Sequence, residues 1–142
     1  MKRFVFLVVA TVVASVSVVW AHEQLEKKEV LFVSADKAVF QEEGPGVSSA
    51  TIWGDPGKGP HGVFTKFAPG FDAGVHTHTS DVRIVVIKGA YLYKADGREV
   101  RVGQGDFLFV PGGTKHWSGG DPKAGALFYS EGLGKFDLIP VK

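Results

Sequence analysis

Glycine-rich turns divide this chain into many short apolar segments, and this pattern limits the possible folds more than any other feature. The sequence has 19 glycines and 7 prolines, and turn-forming residues recur about every 8–12 residues. The segments between them are rich in valine and phenylalanine, which is typical of strands, and none has the apolar period of an amphipathic helix. We therefore predict a single-domain, all-β sandwich or barrel of about ten short strands. Twelve segments are candidates for these strands: residues 30–33, 37–40, 48–53, 61–68, 74–78, 82–87, 90–94, 98–102, 106–110, 114–118, 125–130 and 134–139.

The first 21 residues have the pattern of a secretory signal peptide. Lys2 and Arg3 form a basic start, residues 4–20 are apolar, and Ala21 supplies the small residue before a cleavage site. We predict cleavage after Ala21, a mature domain of residues 22–142, and a secreted or periplasmic location. An uncleaved membrane anchor is the alternative, since the apolar run is nearly long enough to span a bilayer.

The charge and the cysteine count exclude several classes of function. Residues 1–21 carry two basic residues and no acidic residue, so their removal changes the net charge from +1 to −1. A nearly neutral domain lacks the basic surface that nucleic acid or an acidic membrane would require. The chain has no cysteine, so thiolate catalysis, cysteine-ligated zinc and iron–sulfur clusters are excluded.

Three histidines are spaced as metal ligands on strands. His76 and His78 are two residues apart, so on a strand both side chains point to the same face. His116 follows the turn-forming sequence Pro-Gly-Gly at residues 111–113. Three neutral imidazoles on rigid strands would bind a divalent transition metal and leave coordination positions open for a small ligand.

The first of two stretches that resemble the cupin superfamily is residues 70–89. Gly70 is followed, after five residues, by His76 and His78 with one residue between them, and Gly89 stands at the closing glycine. This order matches the first cupin motif except at its glutamate.

The second stretch is residues 105–120. The positions in register with the second cupin motif are Gly105, Pro111, Gly113 and His116. Gly120 stands where asparagine is usual. The two motifs together, in order, span a resemblance over roughly residues 63–129. They imply a cupin jelly-roll β-barrel whose interior carries the ligands.

The chain departs from the family at the glutamate ligand, which should lie at position 82 or 83. Val82 and Arg83 occupy these positions, and Asp81 is adjacent but out of register. Three interpretations follow. The site is a three-histidine centre, as in cupin dioxygenases of the acetylacetone-cleaving kind, or Asp81 bulges in as a fourth ligand, or the site is weakened and only binds.

The resemblance leaves three functions open. The leading hypothesis is a metalloenzyme that uses non-haem iron for dioxygen chemistry on a small chelating substrate. The second is a zinc hydrolase or lyase, and manganese, nickel or copper are further candidate ions. The third is a non-catalytic module that binds metal or a small ligand. The resemblance also makes a homodimer an expectation.

Other side chains are secondary candidates for the site. Asp81 is a candidate base, Arg83 could bind a substrate carboxylate if it points inward, and Tyr91 could offer a hydroxyl group. His61 lies beside a glycine-rich loop and is interpreted as a rim residue rather than a ligand.

Overall fold

The computed structural model describes residues 29–141, and the residues from Phe32 onward form one compact unit. The predicted signal peptide, residues 1–21, lies outside the described residues and stays a prediction. Within residues 29–141, no helix has the length and apolar character needed to cross a membrane.

Ten antiparallel β-strands make up the regular structure of the described part of the chain. The strands are β1 (Gln41–Gly44), β2 (Val47–Gly54), β3 (His61–Phe67), β4 (Asp72–Thr77), β5 (Val82–Ala95), β6 (Arg98–Gly103), β7 (Phe107–Val110), β8 (His116–Gly120), β9 (Ala126–Gly132) and β10 (Ile139–Pro140). Their order in the sheet is β1-β2-β3-β9-β5-β8-β4-β10, and β6 and β7 pair with β5.

The central strand of this arrangement is β5. Its first half pairs with β7 and β9, and its second half pairs with β6 and β8. Because one strand belongs to both parts of the sheet, the sheet curls back on itself. The predicted all-β jelly roll is confirmed.

Gly89 bends β5 rather than ending it. The predicted strands 82–87 and 90–94, with a turn at Gly89 between them, are wrong as separate elements, because residues 82–95 form one continuous strand. The residue has φ of 70°, the pairing shifts register between Val86 and Lys88, and a Cβ at Gly89 would collide with the carbonyl oxygen of Gly125. Glycine therefore allows the bend through which β5 passes between the two halves of the sheet.

The ends of the described chain also differ from prediction. Residues 30–33 and 37–40 are not strands, and Val30 is 99% exposed, because no strand within residues 29–141 pairs with this segment. Residues 134–139 were predicted as a strand, yet regular pairing there is confined to Ile139–Pro140. Apolar composition alone does not supply a partner for backbone hydrogen bonds.

The core lies between the two halves of the sheet and follows the two-residue period of β5. Val82, Ile84 and Val86 are buried, whereas Val85 points outward and is 39% exposed. The buried side chains of the core cluster are Val82, Ile84, Val86, Tyr91, Val102, Ala126 and Phe128. This alternation gives the barrel an apolar interior next to the ligand-bearing strands.

Val86→Ala should destabilise the fold by about 2 kcal/mol, because it removes two buried methyl groups and leaves a cavity. Val85→Ala, the matched control one residue away on the outer face, should cost about 0.5 kcal/mol or less. Urea denaturation of both variants measures the free energies of unfolding. Equal losses would contradict the assignment of the inner face of β5.

Candidate metal centre

The structure brings three histidine rings together at the β4–β8 pair. His76 on β4 lies directly opposite His116 on β8, and their ring centroids are 4.3 Å apart. The ring of His78 lies 4.9 Å from that of His76 and 5.2 Å from that of His116. One ring nitrogen from each residue lies within 4.8 Å of the other two. This group could hold a metal ion.

Each ring has its Nδ1 atom against a backbone carbonyl. Nδ1 of His76 lies 2.9 Å from the oxygen of Gly74, and Nδ1 of His116 lies 2.9 Å from the oxygen of Thr114. A carbonyl can only accept a hydrogen bond, so Nδ1 carries the proton in both rings. The unprotonated Nε2 atoms are therefore free to bind a metal ion.

Two glycine-containing bends place the carbonyls that orient His76 and His116. Gly74 has φ of 71°, and the bend brings its carbonyl back to the ring two residues later. Before His116, Gly113 has φ of 78° and donates its N–H to the carbonyl of His78 at 2.7 Å. The two bends thus orient the rings and also join the β4 and β8 ends of the site.

The third ring is oriented by a residue far away in sequence. Nδ1 of His78 lies 2.5 Å from the carbonyl oxygen of Asp137, and the ring centroid of Phe136 lies 5.2 Å from that of His78. Thr79 donates from its backbone N–H and its hydroxyl to the Asp137 carboxylate, and these hydrogen bonds hold the pKa of Asp137 below its usual range. Phe136 and Asp137 were not among the predicted site residues, because no local sequence pattern indicates a contact between residues 59 positions apart.

The three histidines are almost completely withdrawn from solvent. His76, His78 and His116 are 1%, 7% and 2% exposed. Burial, and to a smaller extent the two neighbouring rings, lower the pKa of His76 to about 4, although its hydrogen bond to Gly74 opposes this. Burial also lowers the pKa of His116. Both shifts favour the neutral form, which is the form that binds a metal ion.

The Nε2 atom of His116 is buried and has no hydrogen-bond partner among the described residues. A buried polar atom without a partner is costly. Because this atom faces the other two rings, the cost would be removed by an ion bound at the centre. The site therefore fits a bound metal on the chemistry of its own donors.

The candidate side chains Asp81 and Arg83 have other contacts, although Asp81 lines a small cavity together with His78. Asp81 accepts a hydrogen bond from the N–H of Gly112 at 2.9 Å, and it is not part of the histidine group. Arg83 pairs across the strands with Phe109, and its guanidinium lies 5.3 Å from that ring. Since Phe109 is 44% exposed and the flanking Val82 and Ile84 are buried, Arg83 is on the outer face of the sheet, where its Nη1 atom is buried and has no hydrogen-bond partner among the described residues.

Of the two tyrosines on the second half of β5, the one nearer the site is Tyr93. Its ring stacks on His116 with centroids 5.2 Å apart. Tyr91 belongs to the core, where burial raises the pKa of its hydroxyl to about 12 despite a hydrogen bond with Ser118. A two-residue period puts both tyrosines on one face, but it could not show which of them reaches the histidines.

His61 is not a rim residue. It is 4% exposed, its Nδ1 atom lies 2.8 Å from the carbonyl oxygen of Gly59, and its ring packs edge-on to Phe136. As expected, it is not part of the histidine group. The neighbouring glycine-rich loop predicted exposure, but β3 begins at His61 and carries its ring inside.

A groove of about 500 Å³ is lined by Val75 and Trp117, on the face of the β4–β8 pair opposite the ring of His116, and His116 is also among its lining residues. Trp117, on the face of β8 opposite His116, lines the groove and donates from Nε1 to the Asp72 carboxylate at 2.6 Å. The charged side chains of the groove are three basic and two acidic ones: Lys94, Arg98, Lys115, Asp96 and Glu99. The groove is therefore weakly positive.

The family model described as "Cupin domain" matches residues 63–124. These residues include both stretches of histidines and the strands that carry them. The match identifies residues 63–124 as a cupin domain. No curated protein sequence matches the chain significantly.

Solved structures agree with this cupin fold at low sequence identity. The polyketide cyclase RemF from Streptomyces resistomycificus is similar with a TM-score of 0.67 and 18% identity, over 80% of this chain and 87% of RemF. KdgF from Halomonas sp. has a TM-score of 0.60 and 22% identity, over 73% of this chain and 94% of KdgF. An RmlC-like cupin from Shewanella frigidimarina has a TM-score of 0.60 and 21% identity, over 74% and 92%.

The metal-free cupin should lose stability as the pH falls from about 6.5 to about 4. His76 takes up a proton near pH 6.5 when unfolded but only near pH 4 when folded, so the unfolded state binds the proton first and is favoured over this range. Protonation of His76 should lower the free energy of unfolding by at most about 3 kcal/mol. Urea denaturation in EDTA across this range measures the slope.

His76→Gln should make this slope shallower, whereas Val85→Ala on the outer face should leave it unchanged. The same slope in His76→Gln and in the unsubstituted protein would contradict the assignment of a buried neutral His76.

Proposed function

We propose that this cupin binds one divalent transition-metal ion through the Nε2 atoms of His76, His78 and His116, and that the ion acts on a small organic molecule. The observation that carries the proposal is the orientation of the rings. All three Nδ1 atoms face backbone carbonyls, which leaves three Nε2 atoms as ligands. Structural zinc sites are usually closed by four protein ligands, whereas three leave positions for an external ligand.

Iron is the ion we propose first, because three imidazoles with open positions suit non-haem iron and its dioxygen chemistry. Zinc fits the same donors and would support hydrolysis or elimination through an acidified water. Manganese, nickel and copper bind the same donor type with different affinities. The three-histidine ligand set favours a transition-metal ion. Elemental analysis of the purified protein would identify which one.

The substrate class follows from the charge of the site. Three neutral ligands leave the charge of a divalent ion uncompensated, and Asp81 is hydrogen-bonded to Gly112 instead. An anionic chelating molecule, such as the enolate of a 1,3-dicarbonyl compound, would compensate that charge. One protein of similar fold, RemF, is a polyketide cyclase, and polyketides are carbonyl-rich molecules.

The residues of this chain would then act by binding, orienting and excluding water. The three imidazoles hold the ion, and the rings of Tyr93 and Phe136 pack against His116 and His78. These aromatic rings shield the centre from solvent, which strengthens electrostatic interactions within it. The ion supplies Lewis acidity or redox chemistry when bound.

A non-catalytic binding module is the second candidate function. Burial of the three rings favours it, because each is 7% exposed or less, and Asp81, the one carboxylate proposed as a base, is not part of the histidine group. In that case the ion would stabilise the barrel or hold a ligand without turnover.

Export is a separate proposal that rests on residues 1–21. The basic start, the apolar run and Ala21 support cleavage by a signal peptidase. Protein recovered from the producing cell should begin at His22. Recovery of the intact N-terminus in the membrane fraction would instead support the uncleaved anchor.

Elemental analysis of untagged protein should find about one transition-metal ion per chain. His76→Ala, His78→Ala and His116→Ala should each lose most of it, because each removes one of three ligands. His61→Gln, a change at a buried histidine outside the group, should retain the ion. Failure of the unsubstituted protein to bind iron or zinc even after incubation with each would refute the metal site.

Dioxygen uptake then separates the candidate functions. Iron-loaded protein should consume dioxygen with simple 1,3-diketones, and His116→Ala should lose this activity. Turnover only with zinc, in hydrolysis or elimination, would replace the dioxygenase proposal. Stabilisation by metal with no turnover of any compound tested would support the binding module.

A further inference from the structure

The segment after β9, residues 133–141, crosses the metal centre, and we name it the C-terminal strap. It runs beside β4 on the edge opposite β8, where Pro140 pairs with His76 and Ile139 pairs with Thr77. We propose that the strap is a working part of the metal centre, so that docking of the strap and binding of the ion favour each other. Asp137 is the positioning residue in this arrangement. The inference rests on the proposed metal site and extends it.

Asp137 connects the strap to the two residues that follow β4, His78 and Thr79, through both its backbone and its side chain. Its carbonyl oxygen accepts the proton of His78 Nδ1 at 2.5 Å. Its carboxylate accepts the N–H of Thr79 at 2.7 Å and the hydroxyl of Thr79 at 2.6 Å. The side-chain bonds fix the residue next to His78 and so keep the carbonyl in place. A carbonyl that accepts a hydrogen bond from the non-ligating nitrogen of an imidazole sets the tautomer and the direction of the ligating ring.

His78 is the one ligand of the three that depends on a distant segment. The carbonyls that orient His76 and His116 belong to residues two positions earlier, so their geometry is local. The acceptor for His78 is 59 positions away. If the strap leaves, His76 and His116 keep their orientation, but His78 loses both its hydrogen-bond acceptor and the ring of Phe136.

The strap is attached at few points and is half exposed. Outside β10, the backbone of the strap makes two hydrogen bonds to the backbone of other described segments. The N–H of Phe136 donates to the carbonyl of Pro56, and the N–H of Val141 donates to the carbonyl of Val75. Leu133 is 68% exposed, and Phe136 and Leu138 are each 44% exposed. Segments with few buried contacts open at a low free-energy cost. The loss of one anchor should therefore have a measurable effect.

Binding of the ion and docking of the strap are coupled in both directions. If a docked strap raises affinity for the ion by some factor, then the bound ion raises the docking equilibrium by the same factor. The ion draws His78 into its ligating orientation, and in that orientation Nδ1 meets the carbonyl of Asp137. The factor measured for affinity of the protein for the ion must therefore agree with the factor by which the ion slows hydrogen exchange in the strap.

The first measurement is zinc affinity of the full chain, by competition with a chelating indicator. Asp137→Ala should weaken zinc binding about tenfold, which is typical when a group that orients a ligating histidine is lost. Thr79→Val keeps the backbone N–H but removes the hydroxyl donor, so it should weaken zinc binding less than Asp137→Ala does. Thr79→Ser keeps the hydroxyl and should bind zinc as the unsubstituted protein does. The double variant Thr79→Val/Asp137→Ala should bind as Asp137→Ala does, because both changes break one connection.

Asp36→Ala is the matched control. Asp36 is an exposed carboxylate that pairs with Lys88 at 2.6 Å, and neither residue is in the histidine group. Its loss should leave zinc affinity unchanged. Equal affinity in Asp137→Ala and the unsubstituted protein, both folded, would overturn the inference while the proposed metal site stands. Absence of zinc binding in the unsubstituted protein would instead refute the proposed site itself.

The second measurement is hydrogen exchange in the strap. Saturating zinc should slow exchange of the Val141 amide, which bonds to Val75, by about the factor found for affinity. His78→Ala should abolish this slowing while residual zinc binds the other two histidines. Exchange that zinc leaves unchanged, or slows equally in His78→Ala, would contradict the coupling through His78.

Discussion

The direct opposition of His76 and His116 across β4 and β8 is the constraint on which the metal centre depends. In an antiparallel sheet a slip of one residue turns every side chain of a strand to the other face. A slip here would place Val75, which is 40% exposed, where His76 now lies. The register is held by the bulge that precedes Val75 and by the bond from Gly113 to the carbonyl of His78. The glycine bends therefore matter for the chemistry and not only for the path of the chain.

Burial and hydrogen bonding act together to prepare the three rings. Withdrawal from solvent keeps His76 and His116 neutral, and the carbonyl acceptors keep the proton on Nδ1. The result is an inward set of nitrogen lone pairs, one of which, on His116, has no partner among the described residues. A site of this kind is unfavourable when empty and is improved by a cation, so the fold and the ion stabilise each other.

The family's carboxylate ligand is missing, and the nearest replacement has another structural role. Asp81 binds the N–H of Gly112, at a turn where a side chain on Gly112 would collide with the carbonyl of Thr79. The carboxylate thus stabilises the turn that delivers His116 to the centre. The three imidazoles, with His78 oriented by the uncharged carbonyl of Asp137, form a neutral donor set, whose chemistry depends on the charge of the incoming ligand.

The sequence alone determined the all-β class and the three histidines, because strand alternation and ligand spacing are local properties. It did not reveal that Gly89 lies within a strand, since a glycine marks a bend equally well in a turn or in a bulge. Only the tertiary structure placed His61 inside, chose Tyr93 over Tyr91 as the neighbour of His116, and brought Asp137 to His78. These contacts join segments that are far apart in the sequence, and their partners are fixed when the sheet curls and the strap docks, which no local pattern encodes.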